Sequence, residues 1–477
     1  MTSNHHVIAI LGDVAEYING RAFKPSEWGK EGLPIIRIKN LNDENSKFNY
    51  SNEVFEKRYL VKKGDLLFAW SASLGAYIWK KDEAWLNQHI FLVKPSPFIA
   101  KLYLYYFLDK ITQELYSAAH GSGMVHVTKK KFEETKIGLP PLPEQRAIVA
   151  KIEQLFSELD NGIACLKKAQ EQLKVYRQAV LKQAFDGELT KSWREQQANL
   201  PSAQDLLDTI KADREQAAKN QGKKLKPVTP LSREELDDLP ELPDGWEWVR
   251  FGDISDVVRG GSPRPAGDPK YYDGDIPFLK VADITKNDDL YITDYEYSIK
   301  EAGLKKTRRI LKNTLLLSNS GATLGVPKIT LIDAAINDGI AAFLNLDSRA
   351  LIFAYYFWRT KTKELRRVNQ GAAQPNLNTD LIKTVFFPLC GFDEQAQIVQ
   401  EIEMRLSVCD KMEATIRESL EKAEALRQSI LKKAFEGKLL SEEELTATRN
   451  DPEWEPAEKL LERIRAEKNQ SKKQALT

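Results

Sequence analysis

The sequence predicts an α+β protein: two tandem globular α/β domains, each followed by a long helix, with the two helices pairing as a coiled coil. Three observations predict this: a repeat that spans the chain, a heptad apolar stripe in each copy, and short strand-like runs ahead of each stripe. The repeat shows first in Glu144-Gln-Arg-Ala-Ile-Val-Ala-Lys-Ile-Glu153, which returns 250 residues later as Glu394-Gln-Ala-Gln-Ile-Val-Gln-Glu-Ile-Glu403. Without a gap the match runs on to Leu181-Lys-Gln-Ala-Phe-Asp-Gly-Glu-Leu189 against Leu431-Lys-Lys-Ala-Phe-Glu-Gly-Lys-Leu439, with 18 identities over 46 positions. Upstream, Tyr105-Tyr-Phe107 meets Tyr355-Tyr-Phe357, and with small gaps Gly12-Asp13 meets Gly252-Asp253.

In element order, the runs Leu33–Ile38, Gly64–Trp70 and Ile90–Val93 predict strands, because they are short, apolar and bounded by turn residues. Their partners are Ile276–Val281, Thr314–Ser318 and Ile340–Phe343. An aromatic-rich helical stretch, Leu102–Leu108 in the first copy, follows each set. Next comes the heptad series Ile152, Leu159, Leu166, Leu173, Val180, repeated as Ile402, Cys409, Ile416, Ala423, Ile430. Residues seven apart return to one helix face, so each series makes a narrow seam for another helix. The companion series Ile148, Leu155, Gly162, Ala169, Tyr176 is expected to share that seam, with Gly162, Ala169, Ser419 and Ala423 letting the backbones approach. Its second copy (Ile398, Arg405, Met412, Ser419, Leu426) is imperfect. Pro143 suits a first helical turn, and Gly187 and Gly437 suit a C-terminal cap. Each helix is expected to hold about 45 residues and span roughly 65 Å.

The boundaries that follow are 1–140 for the first domain, 141–195 for its helical region, and 196–243 for a linker with a short amphipathic helix. The second copy divides into 244–390, 391–445 and a C-terminal helical tail, 446–477, whose polar Lys/Gln end is expected to fray. The linker's Lys223-Lys-Leu-Lys-Pro-Val-Thr-Pro230 is polar and Pro-bearing.

Composition narrows the function. Lys+Arg is 70 against Asp+Glu 69, so any surface for nucleic acid must be local or completed by a partner. Three cysteines and five histidines over 477 residues argue against a disulfide framework or a zinc site. No apolar run is long enough to span a membrane and the start is not a secretory signal, so a cytoplasmic location is expected. There is no phosphate-binding G-x-x-x-x-G-K-[ST] loop, no G-x-G-x-x-G after a strand, and no Asn/Asp-Pro-Pro-aromatic tetrapeptide of amino-methyltransferases. Asp244 with Asp268-Pro-Lys270 has no counterpart in the first half, and no catalytic grouping emerges. The chain reads as a non-enzyme with no catalytic or metal-binding residue.

Two loop pairs are the candidate binding residues. His120-Gly-Ser-Gly-Met-Val-His-Val-Thr-Lys-Lys-Lys131 offers His120, Ser122, His126, Thr128, Lys129 and Lys130, and its counterpart Asn369–Asn378 offers Gln370, Gln374, Asn376 and Asn378. Polar side chains and backbone N–H groups at a helix start suit phosphates, though a plain turn with a helix cap explains them as well. Ala69–Gly75 offers Trp70, Ser71 and Ser73, and Ser318–Gly325 offers Asn319 and Ser320, as a polar loop leaving a strand. Lys305, Lys306 and Arg308 form a basic run, and Arg259 and Arg264 lie in a Gly/Pro-rich stretch. With Lys129-Lys-Lys131 in the first half, basic runs occur in both halves, which favours a nucleic-acid surface over solvated faces.

These residues resemble a known family. Leu139-Pro-Pro-Leu-Pro-Glu-Gln145, a long helix and Arg177–Leu189 resemble the central helical region of type I restriction–modification specificity subunits (HsdS). The stretch from Phe387-Pro-Leu-Cys-Gly-Phe-Asp-Glu-Gln395 to Leu439 is similar to the family's distal region, and Glu241-Leu-Pro-Asp-Gly-Trp-Glu-Trp248 to its usual approach to the second domain. The chain departs from the pattern at Cys390-Gly-Phe, where a Pro-rich turn is expected, and at its start, where a Pro-x-Gly-Trp sequence is missing. The resemblance implies two target recognition domains, each reading half of a bipartite, asymmetric site in double-stranded DNA, with the helices packed antiparallel as a spacer. It also implies docking of two modification (methyltransferase) subunits carrying S-adenosylmethionine, with restriction/translocase subunits using ATP and Mg2+, and no cofactor in this chain. The alternatives are a coiled-coil scaffold carrying two ligand- or protein-binding modules without DNA recognition, and a reader from another modification system or one that methylates alone.

Overall fold

A computed structural model describes residues 6–43, 45–118, 128–220, 229–321, 323–368 and 377–474. The chain divides into two compact units, residues 1–167 with 416–477, and residues 168–415. Each unit therefore combines one globular domain with halves of both long helices.

In the first unit, strands Ala15–Asn19, Ile90–Pro95, Leu66–Ala69 and Gly75–Ile78 form an antiparallel sheet in that order. A second sheet orders Asn49–Ser51, Leu33–Ile36, Ala84–Leu86 and Leu60–Val61, with Leu33–Ile36 and Ala84–Leu86 parallel. The strand Val7–Ile10 pairs with Lys136–Leu139, so the domain begins and ends on one ribbon. The core packs Tyr17, Phe68, Phe91 and Phe132 as edge-on and stacked rings beneath the helix Lys101–Ala118.

The second unit repeats this plan. Its first sheet orders Asp256–Arg259, Ile340–Leu344, Thr314–Ser318, Pro327–Thr330 and Tyr291–Ile292. Its second orders Tyr297–Ile299, Tyr272–Leu279, Ala334–Ile336 and Arg308–Ile310. Glu247–Arg250 pairs with Phe386–Leu389 as the closing ribbon. Phe251, Phe343 and Phe387 fill the core, with Trp358 reaching into it from the helix Leu351–Val368. The six strands expected from sequence are all present, with ends moved by a few residues.

The long helices are Leu142–Phe185 and Phe392–Phe435, 44 residues each, close to the expected length. Within the first unit Ile148, Ile152 and Phe156 share a core with Ile430, Leu431 and Ala434, and Arg427 pairs with Asp160 while lying over the Phe156 ring. Within the second, Val180, Ala184 and Phe185 share a core with Ile398 and Ile402, and Arg177 donates to Asp410 at 2.8 Å and Glu413 at 3.0 Å. Seventeen residues forward on one helix thus correspond to seventeen back on the other, which is an antiparallel coiled coil. The series Ile402, Cys409, Ile416, Ala423, Ile430 is buried throughout, as its period requires. The companion series is not: Tyr176, Met412 and Leu426 are about half exposed, and a Cβ on Gly162 would meet nothing within 4 Å. Gly162 therefore does not serve close helix approach, and the seam is narrower than the sequence suggests.

The repeated Ala-Phe-(Asp/Glu)-Gly now has a physical reason. Gly187 and Gly437 take φ of +73° and +71°, a left-handed conformation that glycine adopts without a Cβ penalty. The bonds Gly187 N–H to Ala184 C=O and Glu188 N–H to Gln183 C=O close the first helix, and Gly437 and Lys438 repeat them on the second. Phe185 then packs on Phe353 and Phe357, and Phe435 on Tyr103 and Phe107. Burying a phenylalanine contributes about 2–3 kcal/mol, so each helix end is fastened to an aromatic helix.

The linker helix Ala203–Asn220 and the tail helix Ala457–Gln474 are also equivalent. Arg214 of the first donates to the Gly252 and Asp253 carbonyls and to the Asp256 carboxylate. From the second, Lys468 reaches the Gly12 carbonyl and Arg465 the Asp13 carboxylate. The tail helix is described to Gln474.

Candidate nucleic-acid interface

In the first unit the two sheets meet where strand Ala84–Leu86 gives way to Ile90–Pro95, so the connector Asn87-Gln-His89 lies at a shared end. The Asn87 N–H donates to the Ile36 carbonyl and the Gln88 N–H to that of Arg21, which fixes the connector to both neighbours. Trp70 stands beside it: its backbone N–H donates to His89 C=O at 3.1 Å and its indole N–H to Asn19 Oδ1 at 3.1 Å. Its ring stacks on Phe91 and sits edge-on to His89, with centroids 5.7 and 5.0 Å away. Ser71 is buried and Ser73 half-buried, in a tight turn through Ala72. Lys129 donates to the Tyr17 carbonyl at 2.7 Å, Lys130 is exposed, and Thr128 precedes the helix Lys129–Glu133 without a side-chain cap bond.

The second unit builds the same place from different side chains. Asn319 occupies the position of Trp70, and its N–H donates to Gly339 C=O at 2.9 Å. It is fully buried, and neither end of its amide has a partner among the described residues. Ser320 is half-buried against Gly339. Gly260 and Gly261 permit close approach, since a Cβ on either would lie 2.2 or 2.3 Å from the carbonyl oxygens of Ile336 and Lys306. That approach gathers the basic residues. Arg259 donates to the Asp338 carbonyl, Arg264 lies 4.0 Å from the Asp338 carboxylate, and Arg308 reaches the Arg259 carbonyl. Lys305 and Lys306 are exposed alongside. Asn378 caps the helix Thr379–Lys383 through Leu381 N–H at 2.7 Å, the local role that a helix-cap reading gives it. Five sequence candidates, Arg259, Arg264, Arg308, Asn319 and Ser320, thus converge on one edge. His120, Ser122, His126, Gln370, Gln374 and Asn376 lie outside the described residues.

Sequence reasoning missed Asn19, Gln88 and His89 in the first half and Ser262 and Asp338 in the second. The repeat contained the signal: Asn87 and Asn337 are identical, as are Ile90 and Ile340, and the residues between them differ. It also missed Arg37 and Lys280, which follow the parallel strands at matching positions, each over an aromatic ring, Trp28 and Tyr297. Burial holds the Lys280 ammonium below the usual lysine range.

The buried Glu-Gln pair of the repeat joins the domains to the helices. Gln145 donates to Pro140 C=O at 2.9 Å and Gln395 to Cys390 C=O at 2.7 Å. Glu394 accepts from Thr190 Oγ1 and Trp246 Nε1, both at 2.8 Å, and from Arg194. In the first unit Glu144 pairs with His6 Nε2 at 2.6 Å, so a histidine does the work of the missing tryptophan. Cys390 lies in the same buried turn, and burial pushes its thiol well up, away from reactivity. Among the described residues no group of three His, Cys, Asp or Glu could hold a metal ion, and no helix is long and apolar enough to cross a membrane.

Comparison with known proteins supplies the family. The model of the type I restriction modification DNA specificity domain matches twice, at residues 8–171 and 243–422. The chain is similar to the type I restriction enzyme EcoBI specificity subunit of Escherichia coli, 27% identical over 96% of this chain and 91% of that one. It is also similar to the EcoKI specificity subunit of Escherichia coli (strain K12), 24% identical over 97% and 95%. Its fold resembles the HsdS subunit from Thermoanaerobacter tengcongensis, with a TM-score of 0.55 and 20% identity over 91% of this chain and 98% of that one. A chain from a study of type I R-M complex assembly and conformational transition gives a TM-score of 0.63 at 21% identity over the same shares. With two copies of its domain, the chain belongs to the family of type I restriction–modification DNA specificity domains, as a specificity subunit and not a catalytic one.

Proposed function

We propose that each globular half reads one half of a bipartite, asymmetric site in double-stranded DNA, that the coiled coil sets the gap, and that two methyltransferase subunits dock on the helical regions. The observation that carries this is one frame bearing two different sets of side chains. Asn19, Trp70 and His89 stand at the strand ends of the first half where Arg259, Asn319 and Gly339 stand in the second. One frame places both sets against a groove in the same way, and unlike side chains read unlike bases. S-adenosylmethionine belongs in this reading to the methyltransferase partners, and ATP and Mg2+ to restriction/translocase subunits. A duplex shared with partners also fits a chain whose charges nearly cancel. The cytoplasm is where such a complex meets DNA.

Exchanging residues 1–140 for the equivalent part of a relative tests the reading, with methylated sites mapped in cells supplying the partners. One half-site is expected to change while the other half and the gap stay. A change in both halves would refute independent reading.

The exposed cations Lys305, Lys306 and Arg308 are assigned to phosphates. Each alanine variant is expected to weaken binding of the assembled complex across sequences and to lower the salt slope by about one or less. An altered base preference at unchanged slope would assign them to bases instead.

A further inference from the structure

His89 stands out within the first half. It takes φ +72°, a left-handed conformation uncommon outside glycine, which histidine adopts more often than most side chains. Strain of this kind persists only where the surroundings enforce it, and it collects at functional sites. The surroundings here are the Trp70 ring, 5.0 Å away edge-on, and the bond from the Trp70 N–H to the His89 carbonyl. The imidazole is half-buried, and its Nδ1 is sealed without a hydrogen-bond partner among the described residues. A bare buried acceptor costs less than a bare buried N–H, so Nε2 carries the hydrogen and the ring's accessible edge is a donor. The second half has glycine at this place, with no side chain to present.

We propose that His89 is a specificity-determining residue of the first half, its Nε2–H donating to a hydrogen-bond acceptor on a base edge, with Trp70 as the positioning residue. This rests on the reading of the first half as a DNA reader. Structural economy alone would place glycine or asparagine here, since both tolerate the left-handed backbone. Histidine instead sets a ring against Trp70 at the strand ends, and the donor it presents points to a ligand outside the protein. The major groove offers such acceptors at purine N7, guanine O6 and thymine O4.

The test uses the full chain assembled with its methyltransferase partners and a duplex library randomised over the bound site, selected by wild type, H89G and H89N. Glycine and asparagine both accept the backbone, so both variants are expected to melt close to wild type. The H89G complex is expected to keep the second half-site and the gap, and to lose about tenfold in discrimination at one base pair of the first half-site. H89N, whose shorter side chain cannot reach the same acceptor, is expected to lose discrimination at that same base pair, and it decides the matter if H89G does not fold. An unchanged first half-site in the folded variant overturns the assignment of His89 while leaving the DNA reading intact. A wild-type complex that selects no motif overturns both.

Discussion

Replacing Glu394 with alanine is expected to destabilise the second unit by about 3 kcal/mol, toward the lower end of what breaking a buried ion pair costs. The carboxylate is 5% exposed and accepts three hydrogen bonds, from Thr190, Arg194 and Trp246. Without it the indole N–H and the hydroxyl lose their partner away from water, and the guanidinium, 18% exposed, is only partly rehydrated. Glu394→Gln keeps the shape and one acceptor, and is expected to cost about half as much. Glu144→Ala in the first unit removes only the His6 bond among described side chains and is expected to cost about 1 kcal/mol. Hydrogen exchange at residues 244–250 in the Glu394 variants, and at residues 7–10 in Glu144→Ala, checks the order. Equal protection in Glu394→Ala and wild type would mean that the carboxylate does not hold the closing ribbon in place.

The second large effect concerns the coiled coil as a ruler. The Asp160–Arg427 pair sets Leu166 opposite the turn that begins at Glu421, so matched heptads inserted after Leu166 and after Leu420 extend both helices at one level. Seven residues return every later side chain to its own face and lengthen each helix by about 10 Å. At about 3.4 Å per base pair, the gap between half-sites is expected to widen by up to roughly three base pairs. Three base pairs also turn the second half-site by nearly a third of a helical turn, so affinity is expected to fall. Mapped methylation sites give the decision. An unchanged gap in a folded variant would show that the helices are not the spacer.

Much of this architecture is legible in the sequence because it is local or periodic. A repeat, a period of seven, a Gly after a helix and a short apolar run are each visible within a few turns of chain. What could not be read depends on contacts between distant residues. Nothing near Glu144 or Glu394 says that one will meet His6 and the other Trp246. The pattern of Ala457–Gln474 shows an apolar face but not that it rests on Gly12 and Asp13. The companion heptad series failed for a related reason: with one buried residue per heptad carrying the seam, Tyr176, Met412 and Leu426 are left half exposed. In the candidate interface, sequence reasoning found polar and basic residues by type and so found Arg259, Arg264 and Asn319. It passed over His89, whose interest lies in its backbone angle and in a buried ring nitrogen with no partner among the described residues.

Two unlike readers on one duplicated frame leave a composite signature in modified DNA. A genome-wide map of methylated bases, in a strain carrying this chain with its methyltransferase partners as the only modification system, reads that signature. One motif made of two different half-sites separated by a gap of constant length is expected. A single uninterrupted motif, two identical half-sites, or a gap that varies from site to site would contradict it.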